Sequence, residues 1–320
     1  MFAANVTVLV VGFNSDPWLS RCFSTLAQAC RSKLHLCVVD NMNNPGLETM
    51  DCSAFDLEVI RTPRPMGFAD ANNYGIRKTR FASDFTVLLN QDTVSTPGWI
   101  DVCLECFGRN QDLAILSPGL RNYELSDWEP NLVACVHENH MSTDILETSC
   151  SDVIELHQVT AAAAVIRSDV LHEVGPFDPV FGSYYEDYDL CRRVRNAGYT
   201  IGVCPAACVG HFSGSVTSTP AEERRRTRIL VRNRLIHKVR ESADGRLSVL
   251  VKHLCFTLPI SLIRGLMRTE SSQPISAILG AHWDLIKIAD RLVSRQRDES
   301  CWKEYLAMYR QDSAVKKPNK

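Results

Sequence analysis

Residues 177–211 read FDPVFGSYYEDYDLCRRVRNAGYTIGVCPAACVGH, and this stretch decides both the fold and the candidate site. Three carboxylates, on Glu186, Asp187 and Asp189, lie within four residues behind a pair of tyrosines. The apolar residues that follow recur at helical spacing, and a glycine marks the helix end. A helix macrodipole favours acids in its first turn, so capping alone explains any single one of them. Two adjacent acids, with a lone His211 after the next strand, predict a functional site.

Alternating strands and helices precede this stretch. Continuous apolar runs predict strands that are buried in a parallel sheet at residues 6–11, 35–39, 56–60, 85–89 and 113–116. Helix signals lie between them, at residues 17–30, at residues 69–79 and from Trp99 onward. This alternation is typical of an α/β fold, here an α/β/α sandwich around a mostly parallel sheet.

Polar residues follow three of the predicted strands, namely Asn14, Asp40 and Asp92. Each alone is a common turn former. Ligands bind over the carboxyl ends of strands in open α/β sheets, so three polar residues at one edge predict a ligand site. The sequence lacks the glycine signatures of dinucleotide and P-loop sites, which argues against a nicotinamide enzyme. A phosphate group would therefore need a metal ion, basic side chains or helix amides.

The charge distribution divides the chain of 320 residues, whose composition (45% apolar, 22% charged) is that of a globular protein. Residues 1–220 carry 14 Lys and Arg against 26 Asp and Glu, whereas residues 221–320 carry 21 against 11. A basic region beside an acidic one predicts a polyanionic partner, either a phospholipid surface or a pyrophosphate-bearing acceptor. No nucleic acid partner is expected.

The cysteines and the hydropathy pattern bear on location. The 13 cysteines are scattered, so we interpret them as reduced thiols of a cytoplasmic protein. We expect no secretion signal, because the first apolar run is short and lacks a preceding basic region. We also expect no membrane-spanning helix, because no run of about 18 uncharged apolar residues occurs.

Two segments allow more than one interpretation. Residues 121–156 are polar with weak periodicity, which predicts either a lid over the site or a surface insertion. After Pro220, residues 222–240 predict an Arg-rich helix and residues 247–267 an apolar one. Residues 220–268 either lie on an anionic membrane surface or pack on the preceding region or on a second subunit of an oligomer.

The order of several motifs is similar to that of the family 2 glycosyltransferases with the GT-A fold, and among them to the rhamnosyltransferase-like group. The matching segments are VTVLVVGFNS at 6–15, VVDN at 38–41, MGFADANNYGI at 66–76, LLNQD at 88–92, GPFDPVFGSYYEDYDLCRRVRNAGY at 175–199 and VGHFSGS at 209–215. The segment 175–199 is the most specific of them. The resemblance implies a GT-A catalytic domain over residues 1–219, followed by a helical C-terminal region over residues 220–320.

The resemblance implies a role for each matching residue. Asp187, in the pair Glu186–Asp187, would be the catalytic base. Asp92 and His211 would hold a divalent metal ion, Mg²⁺ or Mn²⁺, together with the donor diphosphate. The nucleotide-sugar donor would be bound by residues at strand ends and turns: Phe13, Asn14, Asp40, Asn41, Gly67, Asn72, Asn90, Gln91 and Ser215.

These expectations predict an inverting glycosyltransferase that moves a sugar from a nucleotide-diphosphate donor to a hydroxyl of a glycan or lipid-linked acceptor. The subgroup suggests dTDP-rhamnose as the donor, and a peripheral position on the inner face of the cell membrane would accompany lipid binding. A sugar-phosphate nucleotidyltransferase is an alternative, since it too would use metal-bound carboxylates. An inactive nucleotide-sugar-binding module is another, because Asn90 stands where the family's metal motif often has Asp, and Pro65 where the family has Asn.

Overall fold

The computed structural model describes residues 4–13, 18–42, 44, 46–47, 50–148, 153–213, 219–242, 245–266 and 275–313. The chain divides into two compact units. Described residues up to Gly182, residues Glu186–Ser213 and the chain from Arg310 onward form the first unit, and residues Ser183–Tyr185 with the described residues between Gly214 and Tyr309 form the second.

A mixed sheet forms the centre of the first unit. Its described strands are β1 (Val6–Gly12), β2 (His35–Asp40), β3 (Asp56–Arg61), β4 (Phe85–Asn90), β5 (Thr93–Ser95), β6 (Leu113–Asn122), β7 (Ile154–Glu155), β8 (Ala163–Arg167) and β9 (Thr200–His211). Strands β3, β2, β1 and β4 lie side by side in parallel, β8 is antiparallel to β4, and β6 with β9 restores the first direction. Six of these nine strands share one direction, which confirms the mostly parallel sheet.

Helices cover the sheet because each buries one apolar stripe. The described helices of the first unit are α1 (Trp18–Leu26), α2 (Phe68–Lys78), α3 (Trp99–Arg109), α4 (Pro130–Glu138), α5 (Asp144–Thr148), α6 (Ser168–Val174) and α7 (Glu186–Asn196). In α1 the side chains of Leu19, Cys22, Phe23 and Leu26 are buried at three- and four-residue spacing, as expected of an amphipathic helix. The predicted α/β architecture is therefore confirmed.

The described residues between 121 and 156 contain more regular structure than the sequence predicts. Strand β6 continues to Asn122, and the helices α4 and α5 and strand β7 follow. Leu132, Cys135, Val136 and Leu146 are buried in the main core, so these helices pack on the first unit. The weak periodicity has a physical reason, since the helices are short and each buries only one to three side chains.

The second unit is helical. Its described elements are α8 (Pro220–Glu241), α9 (Arg246–Lys252), a π-helical turn (His253–Thr257), α10 (Leu258–Leu266), α11 (Ile275–Ile286), α12 (Ala289–Val293) and the part of α13 (Arg295–Ser313) that ends at Tyr309. A capping box starts α8: Thr219 accepts from the backbone N–H of Glu222, whose carboxylate accepts from the backbone N–H of Thr219. Asp298 is buried among Arg240, Arg246 and Arg291, and these ion pairs hold the helices together.

One described helix bears on the expectation that no helix spans a membrane. Within the described residues, the 18 residues Arg246–Ile263 form a helix that is long and apolar enough to do so, by length and composition alone. None of these residues is buried. Arg246 and Lys252 interrupt its apolar sequence, and the expectation stays a prediction.

Candidate functional site

Asp92, Asn90 and His211 meet at the carboxyl ends of β4 and β9. Strand β5 pairs with β9 in antiparallel register, and this pairing places Thr93 opposite His211. The His211 Nε2 atom lies 3.6 Å from Asp92 Oδ1 and 3.3 Å from Asn90 Nδ2. The backbone N–H of Phe212 also donates to the carbonyl of Asp92 over 3.0 Å. The structure therefore brings together residues that are more than a hundred positions apart in the sequence.

Glu129 lies behind His211 and was not recognised in the sequence. Its side chain is fully buried, and its Oε1 atom lies 3.3 Å from the Nδ1 atom of His211. The same carboxylate caps α4 by accepting from the backbone N–H groups of Asn131 and Leu132. Glu129-Pro130 does carry a helix-start signal, since proline favours the first helical position. The contact with His211 has no local signal, because 82 residues separate the pair.

The pKa values of His211 and Glu129 are shifted by the charges around them. Burial alone would lower the pKa of His211, but hydrogen bonds and charge from Asp92 and Glu129 outweigh it and raise the pKa to about 9. Burial would likewise raise the pKa of Glu129, yet the contacts with His211 and Asn131 lower it below its usual value. Glu129 is therefore an anion that orients the imidazole through Nδ1. A cation that binds Nε2 must displace the proton there.

The donor groups suit a divalent ion that a substrate helps to hold. Within the part of the chain that the structure describes, no cluster of three or more His, Cys, Asp or Glu side chains is arranged to bind a metal by itself. Asp92 and His211 offer one carboxylate and one imidazole. Mg²⁺ is commonly held by one or two carboxylates with water and substrate phosphates, and imidazole also suits Mn²⁺ or other transition ions. The residues therefore fit an ion that is shared with a diphosphate.

Glu186 and Asp187 begin α7 and differ in their surroundings. Glu186 is buried, and burial followed by the charge of Asp187 raises its pKa well above the usual range. Asp187 is half-buried, and burial raises its pKa to about 6. Its carboxylate accepts from the backbone N–H groups of Ala161 at 3.2 Å and Tyr188 at 2.9 Å, which oppose that rise. Burial therefore favours the neutral acid at Glu186 more strongly than at Asp187, as in enzymes that separate an acid from a base.

A short backbone path connects this pair to the His211 cluster. Ala161 donates to Asp187, and the carbonyl of the next residue, Ala162, accepts from the backbone N–H of Asn90 over 2.8 Å. Asn90 in turn contacts His211. Because consecutive Cα atoms are about 3.8 Å apart, the residue that contacts Asp187 lies next to the residue that contacts Asn90.

The backbone before the acidic pair is strained. Tyr184 and Tyr185 adopt positive φ values of 67° and 71°, which residues other than glycine rarely adopt. Such residues cost on the order of 1–3 kcal/mol each and concentrate at functional sites.

The third acid, Asp189, has a different role, since it pairs with Arg192 and Arg193 inside the fold. It is therefore a structural acid.

Phe13 and Gln91 connect the ends of β1 and β4. The Gln91 side chain accepts from the backbone N–H of Phe13 at 2.9 Å and donates to its carbonyl at 2.7 Å. The Phe13 ring itself is exposed. Asn14 and Ser215 lie outside the described residues, so their predicted contacts with the donor stay predictions.

Asp40 and Asn41 are buried at the end of β2, and their polar groups are already engaged. Asp40 accepts from the backbone and side-chain N–H groups of Asn44 and lies 3.5 Å from the exposed Arg61. Asn41 donates to the carbonyl of Met66 and accepts from its N–H, both over 2.9 Å. The structure thus uses Asn41 to fix the turn before Gly67.

Gly67 and its neighbours join α2 to the loop that leads to the acidic pair. A Cβ atom at Gly67 would lie 2.8 Å from the carbonyl oxygen of Gly182, which also accepts from the N–H of Ala69. Asn73, another residue without a sequence signal, exchanges two hydrogen bonds with the backbone of Phe177. Asn72 is buried and donates to the carbonyl of Phe68 within its own helix, and its predicted contact with the donor stays a prediction.

Gly67→Ala is expected to destabilise the fold by about 1–3 kcal/mol, because the added methyl group meets backbone that cannot rotate away. Gly108→Ala is the matched control: Gly108 is exposed in α3 with open space around its missing Cβ, so this change should stabilise by about 0.5–1 kcal/mol. Urea unfolding gives both free energies of unfolding. Equal effects of the two substitutions would contradict the close contact between Gly67 and Gly182.

Comparison with known sequences shows a family match and several relatives. The family described as "Glycosyltransferase like family 2" matches residues 3–231. Pre-mycofactocin glycosyltransferase of Mycobacterium tuberculosis is 31% identical over 65% of this chain and 42% of that protein, so the chain spans less than half of that relative. The dTDP-rhamnosyl transferase RfbF of Shigella flexneri is 22% identical over 66% of this chain and 70% of that protein. N-acetylglucosaminyl-diphospho-decaprenol L-rhamnosyltransferase of M. tuberculosis is 24% identical, over 66% and 76% respectively.

Solved structures show the same fold. TarS of S. aureus in complex with UDP-GlcNAc aligns with a TM-score of 0.56 and 13% identity, over 97% of this chain and 88% of that chain. The mannosyltransferase PcManGT of Pyrobaculum calidifontis, in complex with GDP-Man and Mn²⁺, aligns with a TM-score of 0.54 and 14% identity, over 98% and 87%. At this identity the likeness establishes the GT-A fold alone.

Proposed function

This chain belongs to glycosyltransferase family 2, and from that premise we propose that it transfers a sugar from a nucleotide-diphosphate donor to an acceptor hydroxyl, with inversion at the anomeric carbon. One observation carries the proposal. Asp187 is a half-buried carboxylate whose pKa is raised to about 6. It accepts a hydrogen bond from Ala161, and the next residue, Ala162, accepts one from Asn90, which contacts His211. A base and a cation-binding pair on neighbouring parts of one surface are what such a transfer requires.

Asp187 would act as the general base. The acceptor oxygen attacks the anomeric carbon, and its proton passes to a carboxylate oxygen of Asp187. The bond from the anomeric carbon to the diphosphate breaks, and its electron pair stays on the diphosphate oxygen. Positioned bases contribute about 10²–10⁴ in rate, most effectively when their pKa lies near the working pH. The backbone N–H groups of Ala161 and Tyr188 would orient this carboxylate, while the raised pKa of the buried Glu186 disfavours a second negative charge beside it.

Asp92 and His211 would hold the divalent ion, Mg²⁺ or Mn²⁺, that the fit of their donor groups allows. When bound, such an ion supplies Lewis-acid stabilisation of the charge that develops on the departing diphosphate. Glu129 would keep the imidazole oriented through Nδ1, as carboxylates commonly do behind metal-binding histidines. The strand-end residues Asp40 and Gln91 would border the nucleotide.

The donor and acceptor follow from the relatives. Two of them are named as rhamnosyltransferases, one with dTDP-rhamnose as donor and one with a lipid diphosphate-linked sugar as acceptor. We extend to this chain a dTDP-rhamnose donor and a glycan or lipid-linked acceptor. The basic composition of residues 221–320 suits an acceptor that carries a pyrophosphate.

A donor screen tests the proposal. Nucleotide sugars, each with Mn²⁺, Mg²⁺ or EDTA, would be ranked by the rise in melting temperature, since binding stabilises by RT ln(1 + [L]/Kd). The best donor should then release nucleoside diphosphate in the presence of acceptor. Pyrophosphate release from a nucleoside triphosphate and a sugar phosphate would instead indicate a nucleotidyltransferase. Donor binding without any turnover, unchanged in Asp187→Asn, would indicate an inactive module.

Glu129→Gln should weaken Mn²⁺ affinity by about 10–100-fold, because the neutral amide no longer fixes the charge and orientation of His211. The Gln side chain retains an oxygen that can cap α4, so unfolding free energy should change much less than metal affinity. Calorimetric titration with Mn²⁺ and nucleoside diphosphate measures the affinity directly, without turnover. Glu147→Gln, an exposed acid that follows α4, is the control. Equal Mn²⁺ affinity in both variants would remove Glu129 from the site.

A further inference from the structure

Helices α9 and α10, with the π-helical turn between them, expose an apolar surface. None of the residues Arg246–Ile263 is buried, although most are apolar. Leu254 is 57% exposed, Phe256 65% and Ile263 56%. Isolated exposed apolar side chains are normal, but a contiguous set usually marks an interaction site.

Helix α11 extends this surface. Its buried side chains Ala277, Ile278, Ala281 and Leu285 form one stripe, whereas Leu279, Trp283 and Ile286 recur at spacings of four and three residues and are each more than half exposed. The π-helical turn is joined to α11 by His253 and His282, whose rings stack with their Nε2 atoms 2.9 Å apart. We call the exposed apolar side chains of α9, the π-helical turn, α10 and α11 the apolar face.

The charge of the segment that carries the apolar face indicates which partner it binds. Residues 245–269 contain four basic residues and no acidic one, and of the four Arg246 is already paired with Asp298. A second copy of the chain would bring the same basic residues against this segment, and like charges repel. Anionic lipid headgroups attract such a segment, and tryptophan is enriched at membrane interfaces, where Trp283 would lie.

Two arginines of the Arg-rich helix α8 are engaged within the second unit. Arg228 forms a two-pronged ion pair with Asp284 of α11, and Arg240 is paired with the buried Asp298. These two guanidinium groups hold the second unit together, so they do not supply a free cationic surface. Arg224 and Arg225 of the same helix are exposed.

We propose that the apolar face inserts into the interfacial region of a bilayer that contains anionic lipids, with its helices in the membrane plane. Lys252 and His253 fall within the apolar helix, and a cation in mid-span would be costly, so lying in the interface suits this segment better than crossing. This inference goes beyond the proposed transfer reaction and does not depend on it, because it concerns lipid binding alone.

Flotation with vesicles tests the proposal. The whole chain should float with vesicles of phosphatidylcholine and phosphatidylglycerol, bind pure phosphatidylcholine at least about tenfold more weakly, and lose affinity for the anionic vesicles as salt rises. Leu254→Glu should weaken binding to the anionic vesicles by at least about tenfold, because it places a charge in the apolar face. Met308→Glu is the control: Met308 is equally apolar and 68% exposed, but lies on α13.

Four results would overturn the proposal: no flotation of the wild-type chain, equal flotation of the two variants, resistance to extraction at high pH, or lipid-free self-association that Leu254→Glu abolishes. The third result would indicate a helix that crosses the bilayer, and the fourth a second copy as the partner. Both substitutions are at exposed positions, so thermal melting should show that each variant is folded.

Discussion

Asp187→Asn is expected to lower kcat by about 10²–10⁴-fold, because the amide cannot accept the proton of the acceptor hydroxyl. The amide nearly matches the carboxylate in size and can still accept from Ala161 through its oxygen. Donor affinity should therefore stay close to that of the wild type. Single-turnover kinetics with saturating donor separates this loss of chemistry from a loss of binding.

The neighbouring acid supplies the comparison. Burial and the charge of Asp187 raise the pKa of Glu186 and so favour its neutral form, which a Gln side chain resembles; Glu186→Gln should therefore cost less than about tenfold in kcat. The wild-type kcat should fall as pH decreases through about 6, where Asp187 gains a proton, and this acidic limb should be absent from Asp187→Asn. A larger loss of kcat in Glu186→Gln than in Asp187→Asn would show that Asp187 is not the base.

Asp92→Ala is expected to abolish metal-dependent binding of nucleoside diphosphate. Among the described residues, Asp92 supplies the carboxylate and His211 the imidazole at this position, so removing Asp92 leaves the ion held by His211 and the phosphates. Metal sites commonly depend on each of so few ligands. Calorimetry with nucleoside diphosphate, in Mn²⁺ and in EDTA, should show a large affinity difference for the wild type and almost none for Asp92→Ala.

The matched control is Asp112→Asn, an exposed acid at the opposite end of β6 from the candidate site. Like Asp92→Ala, it removes one negative charge from the first unit of the protein. Its metal-dependent affinity should equal that of the wild type. If Asp92→Ala kept the full difference between Mn²⁺ and EDTA, the placement of the ion would be wrong.

The strands and the first helices were predictable because their signals are local. Continuous apolar runs place β1, β2 and β4 to within one residue of their observed ends. The position of polar residues past those ends also follows from sequence, because parallel strands align their carboxyl ends. The motif order of family 2 then supplied roles for Asp92, Asp187 and His211.

Contacts between distant residues could not be predicted. Glu129 lies in a segment of weak periodicity, and only the fold of β6 and α4 brings its carboxylate to His211. Asn41 stays a predicted donor ligand, but its hydrogen bonds with the backbone of Met66 had no local signal. Composition likewise does not show which arginines of α8 form ion pairs, because pairs such as Arg228–Asp284 arise only in the packed helices.

The most direct test of the account is a crystal structure with Mn²⁺ and a non-reacting donor analogue, in which anomalous scattering locates the metal. The account predicts a manganese signal within bonding distance of Asp92 and His211, and an Asp187 carboxylate facing the anomeric carbon from the side opposite the diphosphate. A manganese signal elsewhere, or protein between Asp187 and the sugar, would contradict it.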